Sequence, residues 1–336
     1  MKVLFYQLKP FSLTHGGLQT QILQTRAALE RLGVQTDFLR WWDDGQTGDI
    51  LHFFGRMPTP LLRTARQKGM KVVLSDLLTE QGSRSGWHLK LHRLTMRAMT
   101  LALPGVFTAS YHWDSYSLAD ACVALTSWEA RLMAELFGAS RQKTHVVPNG
   151  VEDVFLNSQP APRGPWLVCT ATITERKRVL ELAEAAARVE TPLWIIGKPY
   201  SEKDPYAELF FQLARKHVSI IRYEGAIGDR AKLAAAYRAA RGFVLLSAME
   251  SLSLSALEAA ACGCPVLLSD LPWARTVFGE TASYCPVTSS ANRTGEALRK
   301  FYAAAPGLNP PPKPLSWLEV GKQLKHLYES LLKTSR

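Results

Sequence analysis

Gly242-Phe243-Val244-Leu245-Leu246-Ser247, followed by Ala248-Met249-Glu250-Ser251-Leu252-Ser253-Leu254-Ser255-Ala256-Leu257-Glu258-Ala259-Ala260-Ala261-Cys262-Gly263-Cys264-Pro265-Val266, reads as a buried strand, a polar turn and a helix in immediate succession. The apolar run has strand length, and Gly263 with Pro265 stops the helix behind it. A helix that opens at the end of a buried strand points unpaired N–H groups and the positive end of its dipole beyond the sheet. That suits an anion such as a diphosphate. Glu250 in the turn and Glu258 one turn into the helix stand eight positions apart, and two acceptor-only carboxylates there suit hydroxyl groups. A second reading of the same residues is local: Ser255 and Glu258 fit a capping box, in which Glu258 ties back the helix start and Glu250 is a solvated loop residue. Spacing by itself leaves both open.

Outward from this stretch, short apolar runs alternate with helix-period segments along the whole chain, the pattern of parallel sheets covered by helices. Strands are predicted at Lys2–Leu8, Gln35–Leu39, Asp49–Phe54, Lys71–Ser75, Ala121–Thr126 and Thr144–Pro148. A second series falls at Trp166–Thr170, Leu193–Ile196, Ser219–Tyr223, Gly242–Ser247 and Pro265–Ser269. Helices are predicted at Gly17 to Arg31, Val179–Val189, Tyr206–Lys216, Arg230–Ala239 and Leu254–Cys262. The fold class is therefore α/β, with two doubly wound domains at 1–157 and 163–305. The proline-rich run Asn157-Ser158-Gln159-Pro160-Ala161-Pro162-Arg163-Gly164-Pro165 links them. A second proline-rich run, Pro306 to Pro314, sets off an amphipathic segment within 316–336. Ligands of open parallel sheets sit at the carboxyl ends of the strands, so the turn Thr14-His15-Gly16-Gly17-Leu18-Gln19 after the first strand is a second candidate loop. Gly16 and Gly17 let the backbone approach a ligand closely there, or simply make a tight turn.

Composition bounds the chemistry. The 336 residues, 47% hydrophobic with mixed charge, are enough for two cored domains. Five cysteines without a CxxC pair read as reduced packing residues. The strand-like run beside Met1 is too short for a secretory h-region, which leads to the expectation of a cytoplasmic protein. A net charge of +11 and a pI near 9.5 imply an anionic partner. Nothing reads as an RNA or DNA motif, so nucleic acid is not expected. The basic segment Arg84 to Met99, with Trp87, Leu89, Leu91, Leu94 and Met96 among its bases, reads either as a helix with its apolar side in the core or as one lying on an anionic membrane.

Taken together these pieces resemble the retaining glycosyltransferases of family four, which have the GT-B architecture of two facing Rossmann-like domains with a C-terminal helix crossing back to the first. Gly16-Gly17 matches the family's first glycine-rich loop, Asp49-Ile50-Leu51-His52 its third strand and Ala119 to Thr126 its "AD-x-V-x-A-x-S" strand. Val146 to Phe155 is similar to its "V-I-P-N-G-V-D-x-x-x-F" signature, Glu250 to Glu258 is its Glu-x7-Glu motif, and Ser316-Trp317 with Tyr328-Glu329 looks like its terminal helix. The resemblance implies a hexosyltransferase that takes a nucleotide diphosphate sugar, UDP- or GDP-linked, and passes the sugar with retention to a sugar, lipid-linked or polysaccharide acceptor. It further implies that Glu258 holds the ribose, that Glu250 touches the donor sugar, and that backbone N–H groups of Ser251, Leu252 and Ser253 meet sugar and diphosphate. Lys177, in Thr172-Ile173-Thr174-Glu175-Arg176-Lys177-Arg178, matches the lysine that neutralises the leaving diphosphate, with Arg176 beside it; Lys177 and Glu250 are the catalytic candidates. The base would lie against Ile196-Gly197 and Gly225-Ala226-Ile227. No Asp-x-Asp metal motif occurs, so neither metal nor cofactor is expected.

Two departures from the family pattern stand out. Its diphosphate-binding arginine is replaced by Ala171, leaving Arg176 or Arg178 to substitute, and its histidine after the fourth strand is missing, leaving Asp76, Glu80 or His112 as candidates. Two other functions therefore stand beside the transferase: a non-catalytic nucleotide-binding subunit, and a nucleotide-sugar epimerase of the same architecture.

Overall fold

The computed structural model describes residues 1–8, 11, 16–84, 86–102, 112, 114–157, 161–287 and 290–333. The chain divides into two compact units, Met1–Asn149 with Trp317–Arg336, and Gly150–Ser316.

The first unit is built on β1 (Lys2–Tyr6), β2 (Gln35–Phe38), β3 (Ile50–Phe54), β4 (Lys71–Ser75), β5 (Ala121–Ala124) and β6 (Thr144–Val146), in the order β2-β1-β3-β4-β5-β6. Every pairing is parallel, with Phe5 opposite His52 and Phe53 opposite Leu74. Helices cover both faces of such a sheet, which is why its inner strands are continuous apolar runs rather than alternating ones. β5 ends two residues earlier than the pattern predicts because Thr126 leaves the sheet to cap the next helix, its hydroxyl accepting from the Glu129 N–H at 3.1 Å. The amphipathic C-terminal helix, Trp317–Lys333, packs along the Gly17–Arg31 helix of this unit, and Lys325 Nζ donates to the Leu32 carbonyl at 3.0 Å.

The second unit carries β7 (Leu167–Thr170), β8 (Leu193–Ile196), β9 (Ile221–Tyr223), β10 (Gly242–Leu245), β11 (Val266–Ser269) and β12 (Ser283–Cys285), again all parallel, in the order β12-β11-β10-β7-β8-β9. The three-residue β12 has no counterpart among the strands predicted from sequence. Residues 150–157, read from sequence with the first domain, pack within this unit. Val151 N–H donates to the Leu315 carbonyl at 2.9 Å, and Phe155 is fully buried where the Asp153–Leu156 helix meets the Arg230–Ala239 and Leu254–Ala261 helices. The sequence-read linker includes 158–160, which lie outside the described residues.

All five cysteines are buried free thiols; burial pushes those of Cys122, Cys169 and Cys264 up to about 12, which makes them inert packing groups. The helix Gly86–Ala102 divides its apolar residues. Leu89 and Met96 are buried, while Trp87, Leu91, Leu94, Met99 and Leu101 are exposed, so the core accounts for only a thin stripe of it. Among the described residues no helix is long and apolar enough to cross a membrane.

Candidate functional site

In the second sheet the chain winds outward from β7 through β8 to β9, then returns to the other side of β7 as β10. Loops leaving the carboxyl ends of β7 and β10 therefore diverge and leave a crevice, the place where open α/β sheets hold their ligands. Those two loops carry Lys177 and Glu250, 73 positions apart in sequence and ion-paired in space. Glu250 is buried and Lys177 partly so, their side chains 9% and 13% exposed. Arg176 lies 3.5 Å from the same carboxylate and donates to the Met249 carbonyl at 3.1 Å, while its own carbonyl accepts from Ala248 N–H at 2.8 Å. Burial pushes the Glu250 carboxyl up, but the charges of Lys177 and Arg176 and the hydrogen bonds it accepts outweigh that and hold it below the ordinary carboxylate value.

The helix that opens beyond this turn, Leu254–Ala261, is capped by Ser253, whose hydroxyl accepts from the Ala256 N–H at 3.3 Å. The capping box proposed for Ser255 and Glu258 does not form. Glu258 instead turns into the fold, where Arg230 pairs with one of its oxygens and Tyr237 Oη donates to the other at 3.2 Å. Arg230 also holds Glu152 at 2.6 Å and lies 4.7 Å above the centre of the Phe155 ring. Only 6% of Glu258 is exposed, and burial raises its carboxyl above the ordinary value despite Arg230 and Tyr237. Arg230 and Tyr237 escaped the sequence reading. Each lies on an ordinary surface-pattern helix, and nothing local marks either as a partner of Glu258.

The remaining sequence candidates separate. Ser251, Leu252 and Ser253 are buried in the turn between the two glutamates. Gly197 is required by packing: a β-carbon there would run into the Ala171 carbonyl oxygen at the ends of β7 and β8, and its N–H donates to the Gly225 carbonyl at 3.0 Å. Of the two arginines that could replace the one missing at Ala171, Arg176 joins Glu250, whereas Arg178 donates to the Val287 carbonyl.

In the first unit the winding reverses between β1 and β3. Gly16 and Gly17 stand at the N-terminus of the helix that follows β1, Gly16 with φ +148° and open space where a side chain would be; Thr14 and His15 of the same turn lie outside the described residues. Asp76 is engaged by Tyr116 and by Arg56, the latter at 3.5 Å, and Glu80 pairs with Arg84. His112 adopts a left-handed φ of 53°, and its Nδ1 is buried without a hydrogen-bond partner among the described residues. A histidine the sequence placed only as part of a strand, His52, is fully buried. Its Nδ1 is hydrogen-bonded to Tyr328 Oη at 2.6 Å and its Nε2 to Ser75 Oγ at 2.7 Å, and burial pushes its pKa down to about 3. It is a neutral structural hub.

Residues 164–303 match the family described as Glycosyl transferases group 1. No curated protein matches the chain in sequence. Among solved structures, sucrose-phosphate synthase from Thermosynechococcus elongatus superposes with a TM-score of 0.71 at 16% identity over 99% of both chains. Anabaena Alr3699/HepE in complex with UDP and glucose gives 0.65 at 12% identity, over 98% of this chain and 99% of that one. The apo form of the lipopolysaccharide outer core galactosyltransferase WaaB gives 0.63 at 14% identity over all of both chains. The chain thus has the GT-B fold of these structures, and its residues 164–303 are similar to the glycosyl transferases group 1.

Proposed function

We propose that this protein is a metal-independent, retaining hexosyltransferase that moves a hexose from a UDP- or GDP-sugar to an acceptor hydroxyl in polysaccharide or glycolipid synthesis. The observation that carries the reading is the Lys177–Glu250 pair at the reversal point of the second sheet, with Glu258 on the helix that opens there. The donor's diphosphate lies at that helix N-terminus, Glu250 accepts from hydroxyls of the sugar, and Glu258 from those of the ribose. The bond between the anomeric carbon and the diphosphate oxygen breaks, and its electron pair leaves on the diphosphate. The acceptor oxygen bonds to the anomeric carbon from the same face, and its proton passes to the departing diphosphate. Lys177 is a fixed cation beside that developing charge, an arrangement that removes roughly 3 kcal/mol from a barrier in a dry site. The Anabaena structure's complex with UDP and glucose supports a nucleotide-sugar donor of this class.

The same reading places the protein in the cytoplasm against an anionic membrane face. The exposed Trp87, Leu91, Leu94 and Leu101 stand on one helix with Lys90 and Arg97, and no acid occurs between Arg84 and Ala102. Vesicle binding that is lost at high salt is the expected result.

Incubation with UDP- and GDP-hexoses and a panel of acceptors tests the transferase, with NMR reading the anomeric configuration of product against donor. The replacement of the family arginine by Ala171 favours one alternative, a nucleotide-binding subunit without turnover. A thermal shift with UDP or GDP but neither transfer nor donor hydrolysis would establish that alternative, and release of an altered sugar without acceptor would establish an epimerase.

A further inference from the structure

The loop between β2 and β3 leaves the carboxyl end of the first sheet's edge strand and displays two adjacent tryptophans. Trp41 is 86% exposed and Trp42 67%, their ring centres 5.6 Å apart and their planes at 86°. Single exposed apolar residues are unremarkable, but two neighbouring indoles held in water forgo the stabilisation that burying such large apolar surfaces brings. They are not carried on a slack segment. Gln46 Oε1 accepts from the Arg40 N–H at 2.8 Å, and Gln46 Nε2 donates to Asp37 at 3.1 Å and to the Phe38 carbonyl at 3.0 Å. Arg40 bridges Asp37 at 3.3 Å and Asp43 at 2.8 Å, and Leu39 N–H donates to the Phe5 carbonyl of β1 at 2.8 Å. This frame fixes the loop on the sheet while leaving both rings outside.

We infer that Trp41 and Trp42 form a saccharide-binding platform, the subsite that receives a sugar unit of the acceptor. The inference rests on the proposed transferase reading. A pyranose presents an apolar C–H face ringed by equatorial hydroxyls; an indole offers the flat apolar surface that the face stacks on. Two rings at right angles supply a floor and a wall, and the exposed Asp44 beside them supplies an acceptor-only oxygen pair for hydroxyls. The local charge decides between a saccharide and a bilayer. Residues 37–49 hold Asp37, Asp43, Asp44 and Asp49 against Arg40 alone, so this loop is repelled by an anionic membrane. The acid-free helix Gly86–Ala102 has the opposite character. The tryptophans thus point to a neutral carbohydrate.

The test uses the full chain with cellobiose, maltose, lactose and mannobiose as probes, followed by saturation-transfer NMR, and compares wild type with Trp41→Ala/Trp42→Ala and with Trp41→Phe. At least one disaccharide is expected to bind wild type, to bind the double variant at least tenfold more weakly, and to bind the phenylalanine variant with an intermediate loss. Equal binding by the double variant, or no binding of any of the four sugars to wild type, overturns the inference. So does loss of binding to phosphatidylglycerol vesicles in the double variant, which would make the pair a membrane anchor. Thermal shifts with UDP and GDP run alongside: their absence in wild type would fail the transferase reading, while the sugar result still decides the platform.

Discussion

The two units bury a titratable group near the reversal point of each sheet and treat it in opposite ways. On β3 of the first, His52 is stripped of charge: burial drives its pKa to about 3, and the neutral ring links Ser75 to Tyr328 of the C-terminal helix. In the second, Glu250 keeps its charge because Lys177 and Arg176 stand against it. Neutral hydrogen bonding is the cheaper way to fill a core, since a buried ion pair must recover the desolvation of both partners. A fold that retains the costlier arrangement at a sheet reversal points to a ligand that needs charge there.

The sharpest way to break this contrast is Lys177→Ala. Removing one partner of a buried pair should lower folding stability by about 3 kcal/mol, measured by denaturant unfolding. In the proposed reaction it should also cut turnover at least about tenfold, some 1.4 kcal/mol. Wild-type turnover in this variant would remove Lys177 from the mechanism.

His52→Leu comes next. It leaves the Ser75 and Tyr328 hydroxyls buried without their partner, at about 1 kcal/mol or more each, and should destabilise by about 2 kcal/mol. Nucleotide-induced thermal shifts should be unaltered. A changed nucleotide affinity would mean that His52 is more than a structural hub.

The pH dependence of unfolding sharpens the comparison further. The folded pKa of His52 is depressed, so its full contribution to stability is present above the unfolded value near 6.5. That contribution is lost as pH falls, at up to about 1.4 kcal/mol per pH unit, because the unfolded chain takes the proton first. Glu250, also depressed, contributes stability above its unfolded value of 4.5 that is lost as pH drops through the lower folded value. Between pH 6.5 and 4.5 His52 adds to the slope together with His92 and His145, whose pKa values burial also lowers, while the raised carboxyl of Glu258 opposes it, so His52→Gln should reduce the slope without abolishing it.

The smallest effect is expected at Glu258. Its carboxyl is raised in the folded state, so any stability it adds is present at low pH and lost as pH rises through the folded value; at pH 7 the charged form is a cost. Glu258→Gln should leave stability at pH 7 unchanged or higher by about 1 kcal/mol, while weakening UDP or GDP about tenfold by titration calorimetry if Glu258 grips the ribose. Undiminished nucleotide affinity would leave Glu258 only the structural tie to Arg230 and Tyr237.

Much of this was legible in the chain itself. Runs such as Val72-Val73-Leu74 and Phe243-Val244-Leu245 specify strands buried on both faces, and 3.6-residue periodicity specifies the helices between them, because each signal lies within one element. The turn from Glu250 to Ser253, and Lys177 in a loop after a strand, were readable for the same reason. Only the tertiary structure settled the order of the strands, and with it the crevice where Lys177 and Glu250 meet. It also turned Arg178 away to Val287, committed Glu258 to Arg230 and Tyr237 instead of a capping box, and left most of the apolar side of Gly86–Ala102 in water. A buried charge takes whichever opposite charge or hydroxyl the folded chain brings within about 4 Å, and sequence spacing carries no record of that distance.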